Sequence, residues 1–279
     1  MKKTIISCVL FLTAVTAFSQ TTMKTAAEAK LSASDLAVKI ADRILATTTY
    51  EFKNTKTGKT YKSVKDLPLD MNVKVACKYN NWHYTNGVTH IALMELADKT
   101  GAKKYDDYVF KNMNFVFNEG NLDFFKKQYD QAMKDEGWYG VRKLSWHMIF
   151  RGKRLDDNGP MGASLIDLQM KHPNNSFLNY INETAEHLNY GEPRLADGTI
   201  ARIWPHENTI WADDAFMAIS FLARMAKMTG DMNYINDAAN QVIKYHKYLW
   251  CPEKRILYHC YHTDTDEHGV AHWSRANGW

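Results

Sequence analysis

An all-α fold of repeated helical hairpins is what this sequence predicts, on three observations. Apolar residues recur at helical spacing in paired segments along much of the 279-residue chain. Two of those pairs turn on the same Thr-Gly-x-x-x-Tyr phrase, Thr100-Gly101 to Tyr105 and Thr229-Gly230 to Tyr234. Strand signals are weak. Hairpins of this kind bury little surface alone and must stack side by side. A closed α/α toroid and an open α-solenoid both meet that demand.

The first residues, MKKTIISCVLFLTAVTAFSQ, read as an export signal. Lys2 and Lys3 form its basic start, and Thr4 to Ala17 is an apolar stretch short for a bilayer span. Ala17-Phe18-Ser19 offers small residues at the cleavage positions. Residues 1–19 are therefore expected to be removed, leaving a periplasmic or secreted protein with no membrane segment. Residues 20–33 read as a polar leader and 34–279 as the domain.

Ser34 precedes DLAVKIADRIL, whose Leu36, Ile40, Ile44 and Leu45 predict a capped amphipathic helix. Tyr50 to Leu69 is polar and turn-rich, which predicts a loop. In GVTHIALMELADKTG, Val88, Ile91, Leu93, Leu96 and Ala97 make a helical stripe, and Gly101 is placed as its left-handed cap. KYDDYVFKNMNFVF supplies the second helix of that hairpin. MGASLIDLQMKHPNNSFLNYI is a weaker copy, with Pro173 and Asn174 at the turn before Tyr180. AFMAISFLARMAKMTG carries Phe216, Ile219, Leu222 and Met225, ends at Gly230, and leads into YINDAANQVIKYHKYLW. RILYHCYHTDTDEHGVAHW reads as a short hairpin or an extended loop.

Composition narrows the function. Hydrophobic residues at 45% and charged residues at 24% exclude a disordered chain. The formal net charge of +4 is scattered, with no basic stripe for a nucleic-acid partner. Without Cys8, three cysteines remain, Cys77, Cys251 and Cys260, so at least one thiol is free and a Cys251–Cys260 bridge stays open. No CxxC or HExxH pattern is present, and Asp156-Asp157-Asn158 lacks the alternate-position spacing of a calcium loop, so no metal is expected. Aromatic residues, with 8 Trp and 15 Tyr, suit either a large core or a cleft that stacks sugar rings.

Two double aspartates, Asp156-Asp157 and Asp213-Asp214, stand just before apolar helices. Helix capping accounts for one aspartate at each helix start. It does not account for the second, nor for His206, Glu207 and Trp211 just upstream of Asp213. Carboxylates gathered from two helix starts can form an acid/base pair. At the end of the chain, WSRANGW combines Trp273, Arg275, Asn277 and Trp279. An arginine fork and two indoles suit an acidic sugar, while Asn277-Gly278 alone is an ordinary turn.

WHYTNG (82–87), LDDNGPMG (155–162), WADDAFMAISFLARMAKMTGD (211–231), LYHCY (257–261) and WSRANGW (273–279) together resemble the unsaturated glucuronyl and rhamnogalacturonyl hydrolases, glycoside hydrolase families 88 and 105, with 105 the nearer. The resemblance implies a six-hairpin (α/α) barrel. It implies removal of a 4,5-unsaturated uronic acid from the non-reducing end of lyase-generated oligosaccharides, without metal or organic cofactor. It implies Asp213 as the acid, assisted by Asp156 or Asp157, with His259 and Arg275 as substrate contacts and His206 and Tyr84 as weaker ones. Trp211, Trp273 and Trp279 complete the expected sugar site. Members carry further hairpins beyond the Arg-x-Asn-Gly-Trp motif, so an incomplete barrel with apolar surface at the missing hairpins is expected. Two other readings of the same helices remain: a non-catalytic helical-repeat protein that binds carbohydrate or serves as a scaffold, and a sugar epimerase working through histidines.

Overall fold

The computed structural model describes residues 32–118, 120–151 and 154–279. The expected export signal and nearly all of the polar leader lie outside these residues. The chain divides into two compact units after Ala46.

In the first unit, helix α1 (Ala33–Thr47) is amphipathic as expected, but its cap lies two residues earlier than Ser34. Ser32 Oγ accepts the Asp35 amide at 3.0 Å and donates to the Asp35 carboxylate at 2.7 Å. The helix therefore starts early enough that Ser34 falls inside it.

The second unit begins with strands where the sequence predicts a loop. The stretch expected to be a loop holds strands β1 (Phe52–Asn54) and β2 (Thr60–Tyr61), and with β3 (Val73–Val75) they form an antiparallel sheet ordered β2-β1-β3. Runs of two or three residues are too short to show alternation in the sequence. The turn rests on Asn54, whose Oδ1 accepts the amides of Lys56 and Thr57, both at 3.0 Å.

Three helical hairpins follow in the expected order: α2 (Tyr84–Thr100) with α3 (Lys104–Phe117), α7 (Leu155–Lys171) with α8 (Asn175–Glu186), and α9 (Ala212–Thr229) with α10 (Met232–Leu249). Helices α4 (Asn121–Glu136), α5 (Trp138–Val141) and α6 (Met148–Arg151) stand between the first two. Gly101 and Gly230 end α2 and α9 in the left-handed conformation, with φ of 70° and 75°. Asn174 caps α8 through the Ser176 amide at 2.8 Å.

The first helices of the hairpins, α2, α7 and α9, pack against one another with α7 in the middle, and each packs against its own second helix. Two glycines set the spacing. A side chain at Gly87 would meet the Pro160 carbonyl carbon at 2.4 Å, and one at Gly159 the Met217 oxygen at 2.2 Å. Backbone therefore rides on backbone at both α2–α7 and α7–α9. Such contact leaves α7 buried along most of its length, including Met161, Leu165, Ile166 and Leu168. Each such side chain contributes about 1.5–3 kcal/mol of burial. On α9 the buried face centres on Met217, Phe221, Leu222 and Met225, so of the expected stripe Leu222 and Met225 are buried while Phe216 and Ile219 are only partly so.

The double aspartates lie inside helices rather than before them. Asp156 and Asp157 sit in the first turn of α7, and Asp213 and Asp214 in the first turn of α9. The residues at the cap positions, Arg154 and Trp211, make no side-chain cap.

The Tyr-rich stretch forms β6 (Ile256–Leu257), β7 (Cys260–His262) and β8 (Glu267–His268). Strand β7 is central in a sheet with β8 and with β4 (Thr209–Trp211), the strand that runs directly into α9. Strand β6 pairs with β5 (Trp250–Cys251). The WSRANGW motif forms a short helix, α11 (Ser274–Gly278), rather than an isolated turn. Asn277 ties it down: its Oδ1 accepts the Leu257 amide at 2.7 Å and its Nδ2 donates to the Leu257 carbonyl at 3.0 Å. Cys77, Cys251 and Cys260 are free thiols, so Cys251 and Cys260 do not form a bridge.

Candidate active site

The N-termini of α2, α7 and α9 meet at one end of the second unit. Their partial positive charges favour carboxylates there. Trp82 joins the first two: its Nε1 donates to the Asp157 carbonyl at 2.8 Å.

Asp213 is buried, 3% exposed, at the centre of three donors or donor candidates. Arg275 Nη2 donates to its Oδ1 at 3.1 Å, and Trp279 Nε1 donates to the same oxygen at 3.0 Å. His259 Nε2 stands 3.0 Å from Oδ2. Oδ1 thus faces two groups that can only donate, while Oδ2 faces a nitrogen that can give or take a proton. A proton on Asp213 belongs on Oδ2.

The strand pair places the histidine. In the β4–β7 register Trp211 lies opposite Cys260, and the Ala212 amide donates to the His259 carbonyl at 2.9 Å. His259 therefore flanks the first residues of α9. Its ring is held edge-on by Trp211 and Trp273, each with a centroid separation of 4.9 Å.

Arg275 stacks on Trp273, 3.9 Å from the ring centroid, and its Nη1 donates to Tyr84 Oη at 3.2 Å. Its side chain stays 41% exposed, so part of the fork is open to a ligand. Trp279 stacks on Phe216 at 5.3 Å and meets Tyr84 edge-on at 6.1 Å. Trp211 has a buried Nε1 with no hydrogen-bond partner among the described residues.

Asp214 has a different setting. It is 1% exposed and forked by Arg202, with Nε to Oδ2 and Nη2 to Oδ1 both 2.7 Å. Burial raises its carboxyl to about 6, against the opposing pull of Arg202. Arg202 also reaches Asp156, at 3.4 Å to each oxygen, and lies 4.2 Å from the Trp211 ring centroid. Burial disfavours the charge on Arg202, but Asp214 outweighs it and holds the guanidinium firmly protonated.

Of the sequence-predicted residues, Asp213, His259, Arg275, Trp279, Tyr84, Trp273 and Trp211 come together. Asp156 reaches the group only through Arg202, and the carboxylate it shares that arginine with is Asp214, not Asp213. Asp157 faces away from them, in a tight bidentate pair with Arg151. Burial raises its carboxyl and Arg151 counters that. His206 is exposed, with its ring 5.7 Å from that of His262, and it has no contact to Asp213.

Sequence reasoning missed Arg202, Arg151 and His83. His83 caps α2 through the Thr85 amide, and its ring is held towards neutrality by burial, with Asp156 pulling the other way. The phrase WHYTNG contains His83 in plain view. Arg202 carried no such signal, because it stands twelve positions before Asp214 with β4 and the start of α9 between them.

Comparison with known proteins gives the family. The model of glycosyl hydrolase family 88 matches residues 55–279. The unsaturated rhamnogalacturonyl hydrolase YesR of Bacillus subtilis (strain 168) is 26% identical over 171 residues, covering 58% of this chain and 45% of that protein. A possible family 105 member from Klebsiella pneumoniae has a similar structure, with a TM-score of 0.57 at 14% identity, over 90% of this chain and 57% of that one. A family 105 glycoside hydrolase from C. acetobutylicum ATCC 824 gives a TM-score of 0.54 at 21% identity, over 77% of this chain and 53% of that one. The chain spans about half the length of these relatives. It belongs to glycosyl hydrolase family 88 and has the all-α, (α/α)-barrel type of fold of these structures.

Proposed function

From that membership, we propose that the protein is an exported hydrolase that removes a 4,5-unsaturated uronic acid from the non-reducing end of lyase-generated oligosaccharides. One observation carries the reading: a buried aspartate with one oxygen fixed by two donors and the other facing a histidine, beside a half-open arginine. The relative's name, unsaturated rhamnogalacturonyl hydrolase, supports the substrate class. The sequence of residues 2–19 supports export.

The C4=C5 double bond is an enol ether with the ring oxygen. Asp213 Oδ2 gives its proton to C4, and positive charge develops at C5 and the ring oxygen. Water adds at C5 and returns a proton to the carboxylate. The hemiketal then opens by breaking the bond from C5 to the ring oxygen, which leaves a ketone at C5. C1 now carries a hydroxyl and the remaining sugar, and it collapses to an aldehyde as that sugar leaves with a proton. One water is consumed, and one carboxyl serves as acid and then base.

In this scheme Arg275 holds the substrate carboxylate while Trp273 and Trp279 flank the ring. The Arg275 and Trp279 donors on Oδ1 fix which oxygen delivers the proton, and His259 can reload it. Asp214 is withdrawn from the chemistry by Arg202. Mixing the protein with lyase digests of several acidic polysaccharides tests the proposal. Loss of the ultraviolet absorbance of the conjugated double bond, with release of the shortened sugar, is the expected result. Binding of the digest with the absorbance unchanged overturns it in favour of a carbohydrate-binding role.

A further inference from the structure

A cleft of about 230 Å³ opens beside the Asp213 group and plays no part in the scheme above. Arg154, Asp156, Glu192, Arg202, Trp204 and Asp214 are among the residues that line it. Its neighbour relation to Asp213 is short and continuous. Arg202 lies on Trp211, and the Trp211 ring stands 4.9 Å from that of His259, which contacts Asp213.

The lining has the makeup of a sugar subsite. Trp204 is 60% exposed at the cleft, a large flat indole with no core to fill, and Ile203 beside it is 66% exposed. An indole in that position offers its face to the C–H side of a pyranose. Asp156 is partly exposed and held by Arg202 with hydrogen-bonding capacity to spare, which suits sugar hydroxyls. The charges are not all balanced internally. Arg202 is taken by Asp214 and Asp156, while Glu192 lies 2.9 Å from His187 Nε2 with no hydrogen bond between them. Arg154 lies 5.0 Å from the Trp204 ring centroid and has no ion-pair partner among the described residues. Arg154 is exposed and acts on the Asp157 carboxyl only through its charge, so its guanidinium fork can take the carboxylate of a ligand.

We propose that this cleft holds the sugar ring next to the one at Asp213, with Trp204 as its platform, and that Arg154 selects a ring bearing an acidic substituent. This rests on the function proposed above and specifies the substrate of that same site: an oligosaccharide whose second unit is acidic, not neutral.

Isothermal titration calorimetry with saturated sugars tests it, because they have no double bond to react. Digalacturonate is expected to bind at least about tenfold more tightly than galacturonate linked to a neutral rhamnose, which differs from it at the second ring and keeps the first carboxylate, and Trp204→Ala and Arg154→Met are each expected to weaken digalacturonate binding about tenfold. Both side chains lie at the surface, and melting curves confirm that the variants fold. No measurable binding of digalacturonate, equal binding of the two sugars, or variants that bind as the parent does, overturns the proposal. The absorbance assay separates this from the function itself. A protein that consumes the double bond but fails the titration loses only the subsite. One that passes the titration without consuming the bond keeps the subsite and loses the hydrolase reading.

Discussion

Asp213 and Asp214 occupy consecutive positions at the start of α9, yet their carboxylates answer to different parts of the chain. Asp213 takes its partners from the last stretch, His259, Arg275 and Trp279. Asp214 takes Arg202, from the loop before β4. One step along a helix turns a side chain by about 100°, enough to put the two carboxylates in separate environments. Around Asp213 the partners are aromatic or able to exchange a proton, and Arg275 is partly open to solvent. Around Asp214 a single arginine forks both oxygens and nothing is left to react. Two identical residues become a reactive group and a structural one through their neighbours alone.

Substitutions at the two positions should separate these roles. The largest effect is expected at the reactive position. Asp213→Asn keeps the shape but removes the proton donor, and the rate of double-bond loss should fall about a thousandfold. A variant that keeps full activity removes Asp213 from the chemistry. Asp214→Asn should act on stability instead, by about 3 kcal/mol in denaturant unfolding, because it leaves the buried Arg202 without its counter-charge. A loss of rate with stability unchanged would erase the distinction between the two aspartates.

His259→Gln is expected to be milder, about ten- to hundredfold in rate, since it removes the group that reloads Oδ2 but leaves the acid. Its effect should fall on kcat more than on KM.

The smallest effect is a pH slope. Asp214 is raised by burial to about 6, so between about pH 4 and pH 6 the folded protein holds a proton that the unfolded chain has released. Its contribution to stability therefore falls as pH rises through that window. Melting curves of the parent and Asp214→Asn, measured from pH 4 to 7, should show the parent losing ground against the variant as pH increases. Parallel curves would mean that Asp214 titrates as an ordinary carboxyl.

Sequence patterning was enough for the hairpins and not for the detail around them. The Thr-Gly-x-x-x-Tyr phrase and the glycine caps are local features, and both appear where they were expected. The sheet of β1, β2 and β3 was invisible because its strands are too short for a period. The helix start at Leu155 was masked by polar residues and Pro160, which read as a loop although they lie in α7. Within the site, Asp213, Arg275 and Trp279 were legible as types in a motif, and their convergence was not. Their contacts span 62 and 66 residues, and no local signal carries such a pairing. Arg202 illustrates the same limit from the other side: the residue that separates the two aspartates sits in an irregular segment with no pattern at all.

The pairing of β4 with β7 carries a consequence for how this site tolerates change. Alternate residues of a strand point to opposite faces, so register is an all-or-none variable. With Trp211 opposite Cys260, the chain presents His259 to the start of α9. Slipping by one residue would reverse the face on which every side chain of β7 appears. Point substitutions in these strands can be graded in their effects, but a single inserted or deleted residue between Thr209 and Trp211 cannot. The length of this segment is therefore fixed by the register it has to keep.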